Sequence, residues 1–284
     1  MAANEILIFD RNLQRRRHAR ALAAEAADFL LAQATNEIVD RLGAVRRRFT
    51  AIADFGTPLP LLTERLVETF PAARVTRIAP LGRPDVIGDV DLLPFERNAF
   101  DLAVSALALH DVNDLPGTLA QIRRTLKPDG LFLGCLVGGS TLRELRASLA
   151  EAETEISGGV SPRVAPFADV RDMGGLLQRA GFALPVTDVE TLTVRYPHFF
   201  ALLADLRAMG ATNTLVGRLR RPTRRALFLR AAEIYTRDNA DSDGRLPATF
   251  ELIFLSGWAP HESQQKPLKP GSAQVSLADV LRKP

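Results

Sequence analysis

Few side chains in this sequence are placed to do covalent or metal chemistry. His198 and His261 lack partners at the close spacing that zinc ligands adopt, and only four histidines occur in all, so no metal site is expected. The single cysteine, Cys135, excludes an intrachain disulfide framework and a cysteine-based zinc cluster. Ser140 and Ser161 stand at a helix start and in a loop, with no neighbouring base and no nucleophile-elbow pattern, so serine hydrolysis is not suggested. His110 is different. It lies just beyond a nearly continuous apolar run, where α/β folds bind their ligands, and is the one weak candidate for a catalytic side chain. Its simpler role is that of a hydrogen-bonded structural histidine.

Those residues must be held by a core, and the composition supplies one. Of 284 residues, 46% are hydrophobic and 24% charged, the balance of a globular protein. The net charge of +3 comes from arginine clusters at 15–17, 46–48 and 218–225. Solvated helix faces explain them most simply; an acidic partner is the rival reading, and no nucleic-acid partner is expected. No apolar run approaches the roughly 18 residues of a membrane span. The N-terminus is arginine-rich but interrupted by Glu5 and Asp10 and lacks a signal-type hydrophobic stretch, so a cytoplasmic protein is expected.

Apolar spacing predicts the elements that do the positioning. Residues 12–48 favour one or two leading helices. Residues 49–56 read as a strand ending in glycine, with helical spacing over 59–70, so strand, turn and helix follow in order. Further strands are predicted at 74–79, 85–88, 100–107 and 131–137, the apolar ones suited to buried parallel pairing. Asp114 can cap a helix burying Leu115, Leu119, Ile122 and Leu126. Thr141 and Glu144 form a capping-box pattern ahead of Leu142, Leu145, Leu149, Ala152 and Ile156. A helix at 169–180 and strands at 187–196 and 249–258 complete the alternation, interrupted by a helical segment at 198–238.

The expected fold is α/β: a Rossmann-like, doubly wound, mostly parallel seven-stranded sheet with leading helices and a helical lid insertion. Its expected units are N-terminal helices at 1–48, an α/β domain at 49–260 with the lid near 198–238, and a tail at 261–284.

The order of motifs carries a resemblance. Asp54-Phe-Gly, Leu93-Pro-Phe, Phe100-Asp-Leu-Ala-Val-Ser, Leu126-Lys-Pro-Asp-Gly and Gly181-Phe follow the succession seen in small-molecule S-adenosylmethionine methyltransferases. More closely, the chain resembles the methyltransferase-fold assembly factor of respiratory complex I and its bacterial relatives, which are similar to the malonyl-carrier-protein methyltransferase of biotin synthesis. The residues are Ile8-Phe-Asp-Arg, Leu107-Ala-Leu-His-Asp-Val-Asn-Asp-Leu-Pro, Gly138-Gly-Ser-Thr-Leu-Arg-Glu-Leu-Arg, Ala152-Glu-Thr-Glu, Gly159-Val-Ser-Pro-Arg, Asp205-Leu-Arg-Ala-Met-Gly and Gly257-Trp-Ala-Pro-His-Glu-Ser-Gln. The resemblance implies an S-adenosylmethionine site at Asp54, Gly56, Asp89, Val90 and Ser105. It also implies a protein partner, a complex I subunit, in a family linked to arginine hydroxylation.

The site departs from the family's pattern. Where an acid, an apolar residue and three alternating glycines are expected, the chain reads Asp54-Phe-Gly-Thr-Pro-Leu-Pro, so Pro58 and Pro60 replace two glycines. Proline fixes φ, removes an N–H donor and adds bulk where the backbone should approach the cofactor. The ribose-binding acid that should end the second strand is Ala79, followed by Pro80. Two functions stay open: an S-adenosylmethionine-dependent or arginine-modifying enzyme with an unusual pocket, or a methyltransferase-fold binding factor with a degenerate site. Arg143, Glu144, Arg146, His261, Glu262 and Gln264 are the candidate contact residues of the second.

Overall fold

A computed structural model describes residues 7–24 and 26–265. Its central strands are apolar along nearly their whole length because helices cover both faces of the sheet. β1 (Ala51–Phe55), β2 (Arg74–Ala79), β3 (Val86–Ile87), β4 (Phe100–Ala106) and β5 (Leu126–Val137) are parallel; β7 (Leu246–Trp258) runs antiparallel between β5 and β6 (Ala183–Tyr196). The order is β3-β2-β1-β4-β5-β7-β6, the seven-stranded, mostly parallel sheet that the alternation predicts.

The period-2 alternation of strand side chains divides the interior into two cores. On one face, Ile52, Leu102 and Val104 meet Ile38 and Leu42 of α2 (Phe29–Gly43), Leu62 and Leu66 of α3 (Leu61–Thr69) and Leu145 and Leu149 of α5 (Arg143–Ser157). α7 (Phe199–Ala208) and α8 (Arg225–Asn239) close that face with Leu202, Ile234 and Tyr235. On the other, Ala53, Phe55 and Phe132 meet Leu119 and Ile122 of α4 (Leu115–Thr125) and Met173 and Leu177 of α6 (Val170–Arg179). Each fully buried leucine contributes about 1.5–3 kcal/mol, so these faces fix the helices more firmly than their caps do.

Local signals set several boundaries. Asp114 accepts from the Gly117 N–H at 2.8 Å and Asp169 from the Arg171 N–H at 2.8 Å, both as helix caps. His198 does the same through Nδ1 for the Ala201 N–H at 3.1 Å, which gives it a structural task.

The capping box predicted at Thr141 and Glu144 does not form. Leu142 enters α5 at φ 54° and the helix has no side-chain cap. Thr141 Oγ1 instead accepts from the Glu251 N–H at 2.9 Å, and Glu144 accepts from the Thr249 N–H at 3.2 Å and from the Thr249 hydroxyl. The reason lies in β7: its ladder with β5 ends at Val137 opposite Leu252, and the buried donors beyond that point need other acceptors.

α1 (Arg11–Ala23) precedes the first core helix and is tied to the segment between α7 and α8. Phe9 bridges Leu215, the Asp10 N–H donates to the Thr214 carbonyl at 2.8 Å, and Arg218 reaches Asp10 at 3.1 Å. Asp10 also caps α1, accepting from the Leu13 N–H at 3.0 Å. The start of the described chain and the lid segment are therefore one assembly over the carboxyl ends of β1, β2 and β4. Of the tail expected at 261–284, residues 266–284 lie outside the described residues.

Candidate functional site

The loop from β1 to α3 is the corner where this fold binds nucleotides. Gly56 has φ +79°, and a Cβ there would sit 2.6 Å from Val90 Cγ1 and 3.1 Å from the Ala108 methyl group, so only glycine fits. Asp54 is fully buried, and both its oxygens are engaged: the Thr63 hydroxyl donates to Oδ2 at 2.7 Å and the Thr57 hydroxyl to Oδ1. Burial raises the Asp54 carboxyl above the usual carboxylate range, opposed by those hydroxyls and by the charge of Arg77. Thr57 Oγ1 also accepts from the Ala106 N–H at 3.2 Å, stitching the loop to β4.

Arg77 is the residue that sequence reasoning missed. It sits on β2 with 2% of its surface exposed, and its guanidinium donates to the carbonyls of Thr57 at 2.8 Å, Pro58 at 3.2 Å and Gly82 at 3.1 Å. The loop's carbonyls are thus drawn onto a buried cation, while Pro58 and Pro60 contribute no N–H. Pro60 forms the N-cap of α3 without a side-chain bond. Ala79 ends β2 with a methyl group where the resemblance requires an acid. Little in the sequence signals it, because β2 also carries Arg74 and Thr76 and Arg77 does not stand out among them.

The next corner is occupied by α1. Arg11 pairs with Asp89 and with Asp91 at 2.9 Å, and Arg15 reaches the other Asp89 oxygen at 3.0 Å. Asp89 is held below the usual carboxylate range: burial pushes it up, but the charges and hydrogen bonds of Arg11 and Arg15 together outweigh that. Gln14 donates to Asp111. Val90 is buried against the Gly56 backbone, and the Ser105 hydroxyl donates to the Phe55 carbonyl at 2.7 Å.

Between this corner and the lid lies a cavity of about 380 Å³. It is lined by Leu59 and Ala79 beside the loop, Leu145 and Leu149 of α5, and Leu203 and Leu206 of α7. His110, in the single 3₁₀ turn after β4, lines it too, its ring edge-on to Phe167 at 5.9 Å between centroids. Its Nδ1 is buried without a hydrogen-bond partner, and burial lowers its pKa, keeping the ring neutral.

The family-like segments of α5 and its following loop are interior clamps. Glu153, 4% exposed, accepts from the Ser161 N–H and hydroxyl at 2.9 Å and from Arg163 at 2.7 and 3.0 Å. Arg163 continues to the Thr223 hydroxyl at 3.0 Å, joining α5 to the lid. Of the six candidate contact residues, Arg143, His261 and Glu262 are exposed, but Glu144 is buried on β7. Arg146 donates to the Ala165 carbonyl at 3.2 Å and Gln264 to Asp129 at 2.8 Å, so both serve the fold. The expectation that all six are exposed is corrected for Glu144, Arg146 and Gln264. Among the described residues, no group of three His, Cys, Asp or Glu side chains could hold a metal, and no helix is long and apolar enough to cross a membrane.

Comparison with known proteins follows the same geometry. A family model described as a methyltransferase domain matches residues 68–134. The chain is 38% identical over 292 residues to the Danio rerio protein named arginine-hydroxylase NDUFAF5, mitochondrial, covering 97% of this chain and 90% of that one. It is 32% identical to the malonyl-[acyl-carrier protein] O-methyltransferase of Gallionella capsiferriformans, over 90% of this chain and 93% of the relative. Among solved structures, a Bacillus halodurans protein assigned as a methyltransferase superposes with a TM-score of 0.50 at 14% identity, covering 80% of this chain and 99% of that one. The fold is that of the class I S-adenosylmethionine methyltransferases.

Proposed function

The chain belongs to the arginine-hydroxylase NDUFAF5 family, and within that family we propose that it acts as a protein-binding factor in the assembly of respiratory complex I, not as a methyl-transfer enzyme. One observation carries the proposal: the corner that should receive the adenosine is filled by the protein's own α1, with Arg11 and Arg15 on Asp89. The other residues that the resemblance assigns to the cofactor are committed as well. Asp54 is satisfied by Thr57 and Thr63, Ser105 by the Phe55 carbonyl, and Ala79 offers no acceptor at all. These residues do not fit S-adenosylmethionine. Hydrogen bonds to a charged acceptor contribute about 1.5–3 kcal/mol each, so the two lost at the ribose alone weaken binding by roughly a hundredfold or more.

An arginine-modifying role, which the zebrafish relative's name carries, calls for a carboxylate to receive a guanidinium. The one acidic residue lining the cavity, Asp111, is already met by Gln14 and lies 3.9 Å from Arg11. The partner in this reading is a complex I subunit, engaged through exposed residues such as Arg143, His261 and Glu262. Cytoplasmic residence is part of the proposal, although the zebrafish relative is named mitochondrial; a fluorescent fusion in the native host decides it.

The test is a calorimetric titration of the purified chain with S-adenosylmethionine and S-adenosylhomocysteine. Dissociation constants of about millimolar or weaker are expected. Micromolar binding of either would return the cofactor to the centre of the mechanism.

A further inference from the structure

A protein-binding role leaves the cavity of about 380 Å³ without a task. Its size is within the range of small-molecule sites, and it is open to solvent. Its walls are mostly hydrocarbon: Leu30 and Leu31 of α2, Leu145 and Leu149 of α5, Leu203 of α7, and Leu59 after β1. Several polar groups along it are spent on other protein atoms. Gln14 takes Asp111, Arg163 takes Glu153 and Thr223, and Asn213 takes the Pro162 carbonyl and the Leu215 N–H. Arg207 is not spent. It is exposed, it lines the cavity, and among the described residues its guanidinium makes no hydrogen bond or ion pair. His18 lines the same space, and among the described residues its ring nitrogens have no partner either. Thr212, Thr214 and His110 complete the polar lining, and none of them carries charge, since burial keeps the His110 ring neutral.

Arg207 and His18 meet at one turn. The Gly210 N–H donates to the Arg207 carbonyl at 3.0 Å, and a Cβ on Gly210 would lie 2.5 Å from His18 Cδ2, so the imidazole packs directly on the turn that ends α7. The cavity thus joins a leucine-lined interior to a mouth where one positive charge has no counter-ion. A cationic ligand would face Arg207 and find Asp111, the one acidic lining residue, already met by Gln14. A neutral ligand would leave the guanidinium unused, and an inorganic anion would leave the leucines bare. Burial against those leucines favours a hydrocarbon chain. A guanidinium receives a carboxylate through two N–H donors, and at an open mouth neither charge loses all its hydration. We propose that the cavity binds a single-chain carboxylate of medium length, its hydrocarbon against the leucines and its carboxylate on Arg207, at the turn against which His18 packs. The inference goes beyond the binding-factor reading and does not depend on which protein the surface engages.

Straight-chain carboxylates are the probes. In calorimetric titrations of the full chain, affinity should rise about fourfold per methylene from butanoate to octanoate. Octanoate should bind about tenfold more tightly than 1-octanol, and octylammonium more weakly than either. Arg207→Gln should erase the preference for octanoate while leaving 1-octanol affinity within about twofold, which also reports that the cavity is intact. Arg220→Gln, at an exposed lid arginine that does not line the cavity, should change neither. Leu22→Trp, on a partly exposed position of α1 that lines the cavity, should weaken octanoate and spare butanoate. Affinity independent of chain length, a carboxylate preference that survives Arg207→Gln or is lost equally in Arg220→Gln, or octylammonium binding as tightly as octanoate would each overturn the proposal. Micromolar S-adenosylmethionine binding that leaves octanoate affinity unchanged would defeat the binding-factor reading alone. Competitive displacement of octanoate by S-adenosylmethionine would defeat both.

Discussion

Two regions of the molecule carry family-like sequence, and both spend their acidic residues on the protein's own side chains, though they join different parts of the fold. At the corner formed by β1, β2 and β3, the acids Asp54 and Asp89 match the family's motif positions, yet their oxygens are bound by Thr57, Thr63, Arg11 and Arg15. Along α5 and the loop after it, Glu153, Ser161 and Arg163 also match, and there the match coincides with a clamp that holds the lid to the sheet domain. The difference teaches that a matched motif position first reports a constraint of the fold. Whether it also reports ligand binding depends on which of its atoms are left free.

The largest expected effect tests the clamp. Glu153→Ala removes the partner of Arg163, whose side chain is 15% exposed, and breaking such a pair costs about 3–5 kcal/mol. For a chain of this size the melting temperature should fall by on the order of 10 °C. The pH dependence has a definite sign. Arg163 and Ser161 hold the Glu153 carboxyl at about 2, below its ordinary 4.5. Its contribution is therefore complete above pH 4.5 and is lost as the pH falls towards 2. Denaturant midpoints between pH 7 and 3 should show this loss in the native protein and not in Glu153→Gln. Equal acid sensitivity in both would mean that the clamp is unimportant.

Somewhat smaller is the effect of Arg77→Met, which tests the other region. The carbonyls of Thr57 and Pro58 lose a buried donor and Asp54 loses its positive neighbour, at a cost of about 2 kcal/mol. Hydrogen exchange should accelerate at residues 56–63 first. Uniform acceleration across the sheet would show that Arg77 supports the whole domain and not this loop.

How much of this was visible beforehand depends on the range of the interaction. The strands were legible because parallel strands covered on both faces must be apolar throughout, and the prolines of the cofactor loop were legible because a motif of glycines leaves no room for them. Arg77 and α1 were not. The partners of Arg77 lie up to 20 residues away in sequence, and Arg11 meets Asp89 across 78 residues, so no local pattern announces either. Glu144 shows the reverse failure, since its spacing from Thr141 imitates a capping box while both side chains serve β7, more than 100 residues on.

The α1 contact can be loosened at little cost. Arg11→Ala with Arg15→Ala removes partly exposed ion pairs, for which about 1 kcal/mol is expected. In a Pro58→Gly, Pro60→Gly, Ala79→Asp background, the same two changes should raise S-adenosylmethionine affinity by about tenfold or more, because Asp89 is then free to accept from the ligand. Ala79→Asp alone should recover little. If it restored micromolar binding by itself, neither the prolines nor α1 would be the obstacle.

The smallest expected effect on stability is the most informative for function. Arg143, His261 and Glu262 are exposed, and among the described residues Arg143 pairs only with the neighbouring Glu144 carboxylate at 3.1 Å. Surface truncations away from caps and buried networks usually change stability by no more than about 0.5 kcal/mol, so the triple alanine variant should melt within about 2 °C of the parent. Glu144 and Gln264 do not belong in this set, because their carboxylate and amide groups bond Thr249 and Asp129 and their loss would confuse unfolding with lost binding. Interface side chains that become buried against a partner can cost about 2 kcal/mol or more when truncated, roughly thirtyfold in affinity. The expected pattern is thus a stable variant that fails to support complex I assembly in the native host, beside an Asp89→Ala variant that still supports it. The opposite pattern, assembly lost with Asp89→Ala and indifferent to the exposed residues, would place the working surface at the filled cofactor corner and overturn the contrast between the two regions.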